Sequence, residues 1–274
     1  MGSELYLCAT PIGNLDDMTF RAVQILKGVD FIAAEDTRHT RKLLTHFDIH
    51  TPLIHYDENN KSAVGKKIIE RLLNGESAAC VTDAGTPAIS DPGADLVRLA
   101  VDANIKIIPI PGACAAINAL IASGLDTNQF TFVGFLPNKN FADRLKALKD
   151  CRETLIFYEA PHRLNKTLEK LFETFGARRV VLARELTKIH EEFIRGRLGS
   201  IVVDDPRGEF VIVVEGADDE PPVKDFIDSD VLTIYNRLIK DGVERREAMR
   251  LTAKQFGLSR REVYQLTLKE FESQ

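Results

Sequence analysis

Short apolar runs alternate along the first half of the chain with longer stretches in which apolar residues recur every three or four positions. Glu4 to Ala9, Asp30 to Ala34, Pro52 to His55, Ala78 to Val81 and Ile105 to Ile110 are too short for helices and read as strands. Met18 to Lys27, Arg38 to Phe47, Lys61 to Leu73, Ala94 to Ala103 and Ala113 to Ser123 carry the helical period between them. Regular strand–helix alternation predicts a mostly parallel, wound sheet with helices on both faces. Gly124 to Gln129 is a plausible junction, after which the pattern restarts. Strands are expected at Phe130 to Val133, Thr154 to Tyr158, Val180 to Ala183 and Phe210 to Val214, and helices at Phe141 to Leu148 and Arg163 to Phe175. Arg184 to Glu192 reads as a charged loop or helix start. Gly216 to Pro222 is an acidic, proline-containing linker, and Ser229 to Gln274 is helical throughout, with stripes at Leu232, Tyr235, Leu238 and Ile239, at Ala248, Leu251, Thr252 and Phe256, and at Val263, Leu266 and Leu268. The fold class expected is α/β: two α/β domains, 1–124 and 125–217, then a small helical domain, 218–274. Gly257-Leu258 before Ser259 resembles the turn of a helix-turn-helix, although plain helical packing fits the same pattern.

One stretch organises the rest. Cys80 to Gly93, C-V-T-D-A-G-T-P-A-I-S-D-P-G, runs from a strand covered on both faces into a tight turn stopped by Asp83, Gly85 and Pro87. Ser90 or Asp91 is placed to cap the following helix, with Pro92 in its first turn. The carboxyl end of a strand in an open α/β sheet is where small ligands bind; an ordinary strand–helix connection has the same spacing.

Composition narrows the class. At 274 residues, 44% hydrophobic and 28% charged, the chain can bury a large core. Cys8, Cys80, Cys114 and Cys151 are scattered without C-x-x-C pairing, which fits reduced cysteines of a cytoplasmic protein. No apolar run approaches a membrane span, and no signal-like segment opens the chain. The net charge of −5 argues against a generic nucleic-acid binder, but Asp204 to Asp230 holds ten acidic residues against Arg207 and Lys224, leaving about +3 for the remainder. Basic groups gather at Arg38, Arg41 and Lys42, at Lys139, Arg144, Lys146 and Lys149, at Arg195 and Arg197, and at Arg245, Arg246, Arg250, Arg260 and Arg261. Most such groups are solvated helix faces; a local polyanion surface is the alternative.

Familiar signatures are missing. There is no G-x-x-x-x-G-K-[ST], no G-x-G-x-x-G after a strand, no H-E-x-x-H and no G-x-S-x-G. His46 and His50 lack a third ligand nearby, so no metal is expected. Polar residues do cluster after strands in both halves: Glu35, Asp36, Thr37 and Arg38; Asp83 and Thr86; Glu159 and His162; Arg184, Glu185, Lys188 and His190. Each group alone can be a cap or ion pair; jointly they suit a ligand cleft between two domains.

Five segments together resemble one family: Thr10-Pro11-Ile12-Gly13-Asn14-Leu15, Ala34-Glu35-Asp36-Thr37-Arg38, Thr82 to Pro87 with Ser90-Asp91-Pro92-Gly93, Tyr158 to Arg163, and Ala183 to Lys188. In this order they look like the tetrapyrrole-methylase superfamily and, within it, the bacterial 16S ribosomal RNA (cytidine 2′-O)-methyltransferase I branch. The resemblance implies two domains of the tetrapyrrole-methylase type with S-adenosyl-L-methionine in the cleft between them, a homodimer, and 16S ribosomal RNA in the small ribosomal subunit as acceptor. Carried over by motif, the cofactor residues are Pro11, Asp83, Ala84, Gly85, Thr86, Pro87, Ile89, Ser90, Cys114, Ala115, Glu159, Leu186 and Glu209. Thr10-Pro11-Ile12-Gly13-Asn14 departs from the Gly-Pro-Gly-Asp-like first loop of porphyrin-type members, which favours the RNA branch.

Methyl transfer from a sulfonium is an in-line displacement that depends chiefly on alignment. A ribose hydroxyl still benefits from a base or from charge stabilising the developing alkoxide. Glu35 or Asp36 is the expected proton acceptor, with Arg38 and Lys188 holding neighbouring phosphates. The competing readings are a tetrapyrrole C-methyltransferase of the same superfamily and a non-enzymatic ribosome-associated binding protein whose helical tail is its attachment module.

Overall fold

The computed structural model describes residues 3–137, 139–218, 228–256, 258 and 260–272, in two compact units, Met1–Ala217 and Asp218–Gln274. In the first unit the opening strands are β1 (Glu4–Cys8), β2 (Phe31–Ala34), β3 (Leu53–His55), β4 (Ala78–Val81) and β5 (Lys106–Ile110). They form one sheet in the order β3-β2-β4-β1-β5, parallel throughout. Successive side chains go to opposite faces. Tyr6, Cys8, Ile32, Ala34, Ala79 and Val81 therefore pack under α1 (Phe20–Gly28) and α2 (Thr37–His46), whereas Leu5, Phe31, Ala33, Ala78 and Cys80 pack under α3 (Lys61–Leu73) and α4 (Ala94–Asp102). Burial on both faces is why these strands read as unbroken apolar runs.

The second sheet departs from the expectation. Its strands are β6 (Phe130–Phe135), β7 (Thr154–Glu159), β8 (Arg179–Arg184), β9 (Glu192–Arg197) and β10 (Phe210–Val214), in the order β6-β7-β10-β8-β9. Only β6 and β7 are parallel; β10 runs antiparallel to β7 and β8, and β9 antiparallel to β8. The sheet is mixed, not wound. Arg184 to Glu192 is a connection between strands and starts no helix. β9 was hidden by its composition: Glu192, Arg195 and Arg197 are exposed on an edge strand, so no apolar run marks it.

One face of this sheet, with Leu155, Phe157, Val180, Leu182 and Ile212, is covered by α6 (Phe141–Lys146) and α7 (Leu164–Phe175). The other, with Ile156, Val181, Ala183, Val211 and Val213, is covered by α5 (Ala115–Ser123) through Ala116, Ala119 and Leu120. α5 leaves the first sheet after β5 yet packs on the second. Its small residues let the helix lie close to the strands, and the two sheets are thereby held together within one unit.

The second unit consists of α8 (Asp228–Lys240), α9 (Arg245–Phe256) and α10 (Arg260–Glu272) around Val231, Tyr235, Ala248, Ala253, Val263 and Leu266. Most of the expected linker and the two residues flanking Leu258 in the helix-turn-helix-like turn lie outside the described residues. No helix among the described residues is long and apolar enough to cross a membrane.

Candidate active site

The strands of the first sheet all end on the same edge, and the residues that follow them form a rim. Two turns are locked together there: Thr10 N–H donates to the Gly85 carbonyl at 2.9 Å and Gly85 N–H to the Thr10 carbonyl at 3.0 Å. Gly85 adopts φ +88°, and a Cβ on it would stand 3.3 Å from Ile12. Only glycine turns here without strain. Ala88 and Ser90 also hold positive φ, 69° and 63°. Non-glycine strain of this kind costs ~1–3 kcal/mol per residue and concentrates where a loop is shaped for a ligand.

Thr86 fixes the far side of the loop, its hydroxyl donating to the Ala113 carbonyl at 3.0 Å. The second sheet closes on it: β6 is irregular between Phe132 and Gly134, and a Cβ on Gly134 would stand 2.8 Å from the Ser90 hydroxyl. The result is a cleft of about 450 Å3 between the two sheets, within the range of small-molecule sites. Ile12, Asp83, Ala84, Gly85, Thr86, Ile89, Ser90 and Asp91 line it from the first sheet, Cys114 and Ala115 from the start of α5, and Phe135, Tyr158 to Pro161 and Glu209 to Val211 from the second.

Ten of the thirteen residues expected to hold the cofactor thus meet in one cavity. The three outside its lining are Pro11, Pro87 and Leu186. Pro87 is buried in the turn, and Leu186 is part of the core under α5. Glu159 is almost wholly enclosed: one oxygen accepts from Thr167 at 2.6 Å and the other from Ala160 N–H at 2.9 Å, with Arg163 at 3.5 Å. Its place is at the head of the strand-to-helix turn.

Asp91 is the main correction within the loop. The N-cap of α4 is Gly93, with no side-chain cap, so neither Ser90 nor Asp91 caps that helix. Asp91 instead enters the cleft, where burial, reinforced by Glu35 and Asp83 and partly offset by a Thr82 hydrogen bond, pushes its carboxyl up to about 6. Aromatic side chains were missed as well. Tyr158 accepts a hydrogen bond from Ala116 N–H at 3.1 Å and lies edge-on to Phe135, with centroids 5.5 Å apart. Burial pushes its hydroxyl to about 12, so it stays protonated. Tyr158 and the half-buried Asp91 both stood inside recognisable segments, but neither residue type announces which way it will point.

Glu35 lies in the wall of a second cleft of about 560 Å3, whose other lining residues are the polar or charged Asp36, Thr37, Arg38, His55, Asp57, Glu58 and Asn59. It is the residue common to both linings. The Thr82 hydroxyl donates to one of its oxygens at 2.9 Å and holds the side chain in the wall. Asp36 is differently committed. It caps α2 by accepting from Arg38 N–H at 2.8 Å and pairs with the Arg38 guanidinium at 2.9 Å, which holds its carboxyl well below the usual range. Asp36 N–H donates to Asp83 at 3.0 Å, tying the two rims.

Lys188 sits on the opposite side, 3.0 Å from Glu185 and 3.5 Å from Glu209, which lines the first cleft. Burial pulls its ammonium down, but the two carboxylates prevail and keep it protonated. It is a positioned cation near the cleft and does not itself line either cavity.

A family model for the Tetrapyrrole (Corrin/Porphyrin) Methylases matches residues 4–202. The chain belongs to the tetrapyrrole methylases. Solved structures share the fold at low identity: diphthine synthase superposes with a TM-score of 0.62 at 14% identity, covering 78% of this chain and 90% of that one. Among curated proteins, Ribosomal RNA small subunit methyltransferase I of Halalkalibacterium halodurans is 54% identical over 218 residues, 77% of this chain and 75% of the relative. The protein of the same name from Synechocystis is 48% identical over 260 residues, 92% of both chains.

A tetrapyrrole methylase takes its methyl group from S-adenosyl-L-methionine. The lining fits that donor: Asp83, Asp91 and Glu35 offer negative charge to its sulfonium and ammonium groups, and Ile12, Ile89, Phe135 and Val211 offer apolar surface to its adenosine. Bound there, it supplies an activated methyl group on a neutral leaving group. What the chain supplies is alignment, charge and exclusion of water.

Proposed function

We propose that this methyltransferase modifies ribosomal RNA of the small subunit, and specifically the ribose 2′-hydroxyl of a decoding-site cytidine, acting in the cytoplasm as a homodimer on the assembled subunit. The observation that carries this reading is the position of Glu35, in the one wall shared by the mixed donor cleft and the polar cleft. An acceptor held in the polar cleft meets the donor across that carboxylate. High identity to the two ribosomal RNA enzymes above supports the choice of acceptor.

In this account Glu35 accepts the hydroxyl proton as the oxygen attacks, and Thr82 fixes the carboxylate that receives it. Asp36, paired with Arg38, is the weaker base of the two and in this account works by capping α2 and aiming the guanidinium. Arg38 and Lys188 offer positive charge to backbone phosphates on either side of the reacting ribose.

The test is transfer of labelled methyl from S-adenosylmethionine to small subunits that lack the modification, run beside free RNA oligonucleotides and a porphyrin acceptor. Label in the subunit's ribosomal RNA, with weak transfer to the oligonucleotides, is expected. Preferential labelling of the porphyrin contradicts the acceptor; a preference for free oligonucleotides contradicts the subunit.

A further inference from the structure

Resting on the ribosomal RNA reading, we propose that the exposed face of α2 is the track along which phosphates of the acceptor strand run toward the Glu35 cleft. α2 is a ten-residue helix, TRHTRKLLTH, with no acidic side chain. Its inner face is fixed by Thr40 and Leu44, both buried. Arg38, Arg41 and Lys42 fall at i, i+3 and i+4, so they form one stripe on the helix surface, and all three are exposed. Arg38, at the head of the stripe, also lines the polar cleft.

Beyond Arg38 the stripe has no counter-charge, and it is continuous with a cleft. Arg38 is paired with Asp36, but among the described residues Arg41 and Lys42 have no carboxylate within ion-pair distance. Elsewhere cations are commonly matched: Arg71 with Glu76, Lys61 with Asp95, Lys106 with Glu4, Arg179 with Glu215. Asp48, just beyond α2, is engaged with His50, whereas the other basic helix, α6, carries Asp143 within the helix and lines neither cleft. Unmatched cations on an acidic chain retain a full attraction for a polyanion.

Charge also divides the work between track and cleft. Glu35, Asp36, Asp57 and Glu58 around the cleft repel phosphate, yet can accept hydrogen bonds from the amino and hydroxyl groups of a nucleoside. A strand laid with its phosphates on Arg41 and Lys42 and one nucleoside turned into the carboxylate-lined cleft satisfies both surfaces. The opposite arrangement satisfies neither.

Three full-length proteins decide it: wild type, R41A/K42A, and K146A/K149A on α6 as the basic-helix control. Donor affinity is read by calorimetry, methyl transfer to small subunits by initial rates, and subunit binding across a salt series. For R41A/K42A the expectation is unchanged donor affinity, kcat within about twofold, KM raised ~10-fold, and a salt dependence of log K shallower by about 1.4. K146A/K149A should match wild type. Equal KM and equal salt slopes in R41A/K42A and wild type would overturn the track. So would weaker binding with an unchanged slope, because the contact would then not be to phosphate, or a larger loss in K146A/K149A. Failure of the underlying function looks different: wild type itself would transfer no label to subunits, while the salt series still reads the α2 surface without any turnover.

Discussion

Asp91→Asn separates the donor site from ordinary folding more sharply than any other single change. The Asp91 carboxyl is raised from an ordinary 3.8 to about 6 by burial and by Glu35 and Asp83. A shift of about two units corresponds to about 3 kcal/mol at 1.36 kcal/mol per unit; partial solvent access reduces the stability effect to ~1–2 kcal/mol. The folded-state value lies above the unfolded one, so between about pH 4 and 6 the native protein holds the extra proton. Stability from this group is therefore full below pH 4 and lost as pH rises through 6. Asparagine cannot ionise and escapes that loss. In urea melts the variant should match wild type near pH 4 and exceed it by ~1–2 kcal/mol at pH 7. Donor binding should move the other way: a cationic ligand favours the ionised carboxylate, so wild-type affinity falls as pH drops through 6, whereas the variant binds more weakly at pH 7 and shows a flatter profile. A variant less stable than wild type at pH 7, with an unaltered pH profile for donor binding, would refute the reasoning.

Other consequences can be measured directly. Glu35→Gln should lower single-turnover methyl transfer at saturating donor by ~100-fold or more; an unchanged rate would remove Glu35 as the proton acceptor. Asp36→Ala should cost ~1 kcal/mol in thermal stability through the lost cap, and transfer should fall mainly through KM as Arg38 loses its anchor. Gly134→Ala combines a φ of +71° with a contact to Ser90, so it should destabilise the fold by ~1 kcal/mol or more and weaken donor binding, read by melts and calorimetry.

What the sequence disclosed depended on burial. The first sheet was legible because its central strands are covered on both faces and stop abruptly, so Phe31 to Ala34 and Ala78 to Val81 stand out as apolar runs. In the second, β6, β7, β8 and β10 were legible as strands, but β9 and the strand directions were not. β9 exposes Glu192, Arg195 and Arg197, and no pattern of apolar residues shows that β10 inserts antiparallel between β7 and β8. Most of the residues named from motifs line one cleft because its shape comes from turns, whose glycines and prolines are visible in the letters. Side-chain direction was not visible. Asp91 read as a helix cap and proved to face the cleft, and the letters do not show that Arg38 pairs with Asp36 or that Thr82 holds Glu35. The polar cleft at the end of β3 was missed altogether, since Asp57, Glu58 and Asn59 look like any turn before a helix.

Mass mapping of small-subunit ribosomal RNA from cells with and without this protein tests the central claim most directly. The account predicts one cytidine near the decoding site whose ribose, and not its base, gains a methyl group when wild type is present, and which stays unmethylated with Glu35→Gln. A methyl group found on a base, or identical ribose methylation in the absence of the protein, would contradict it.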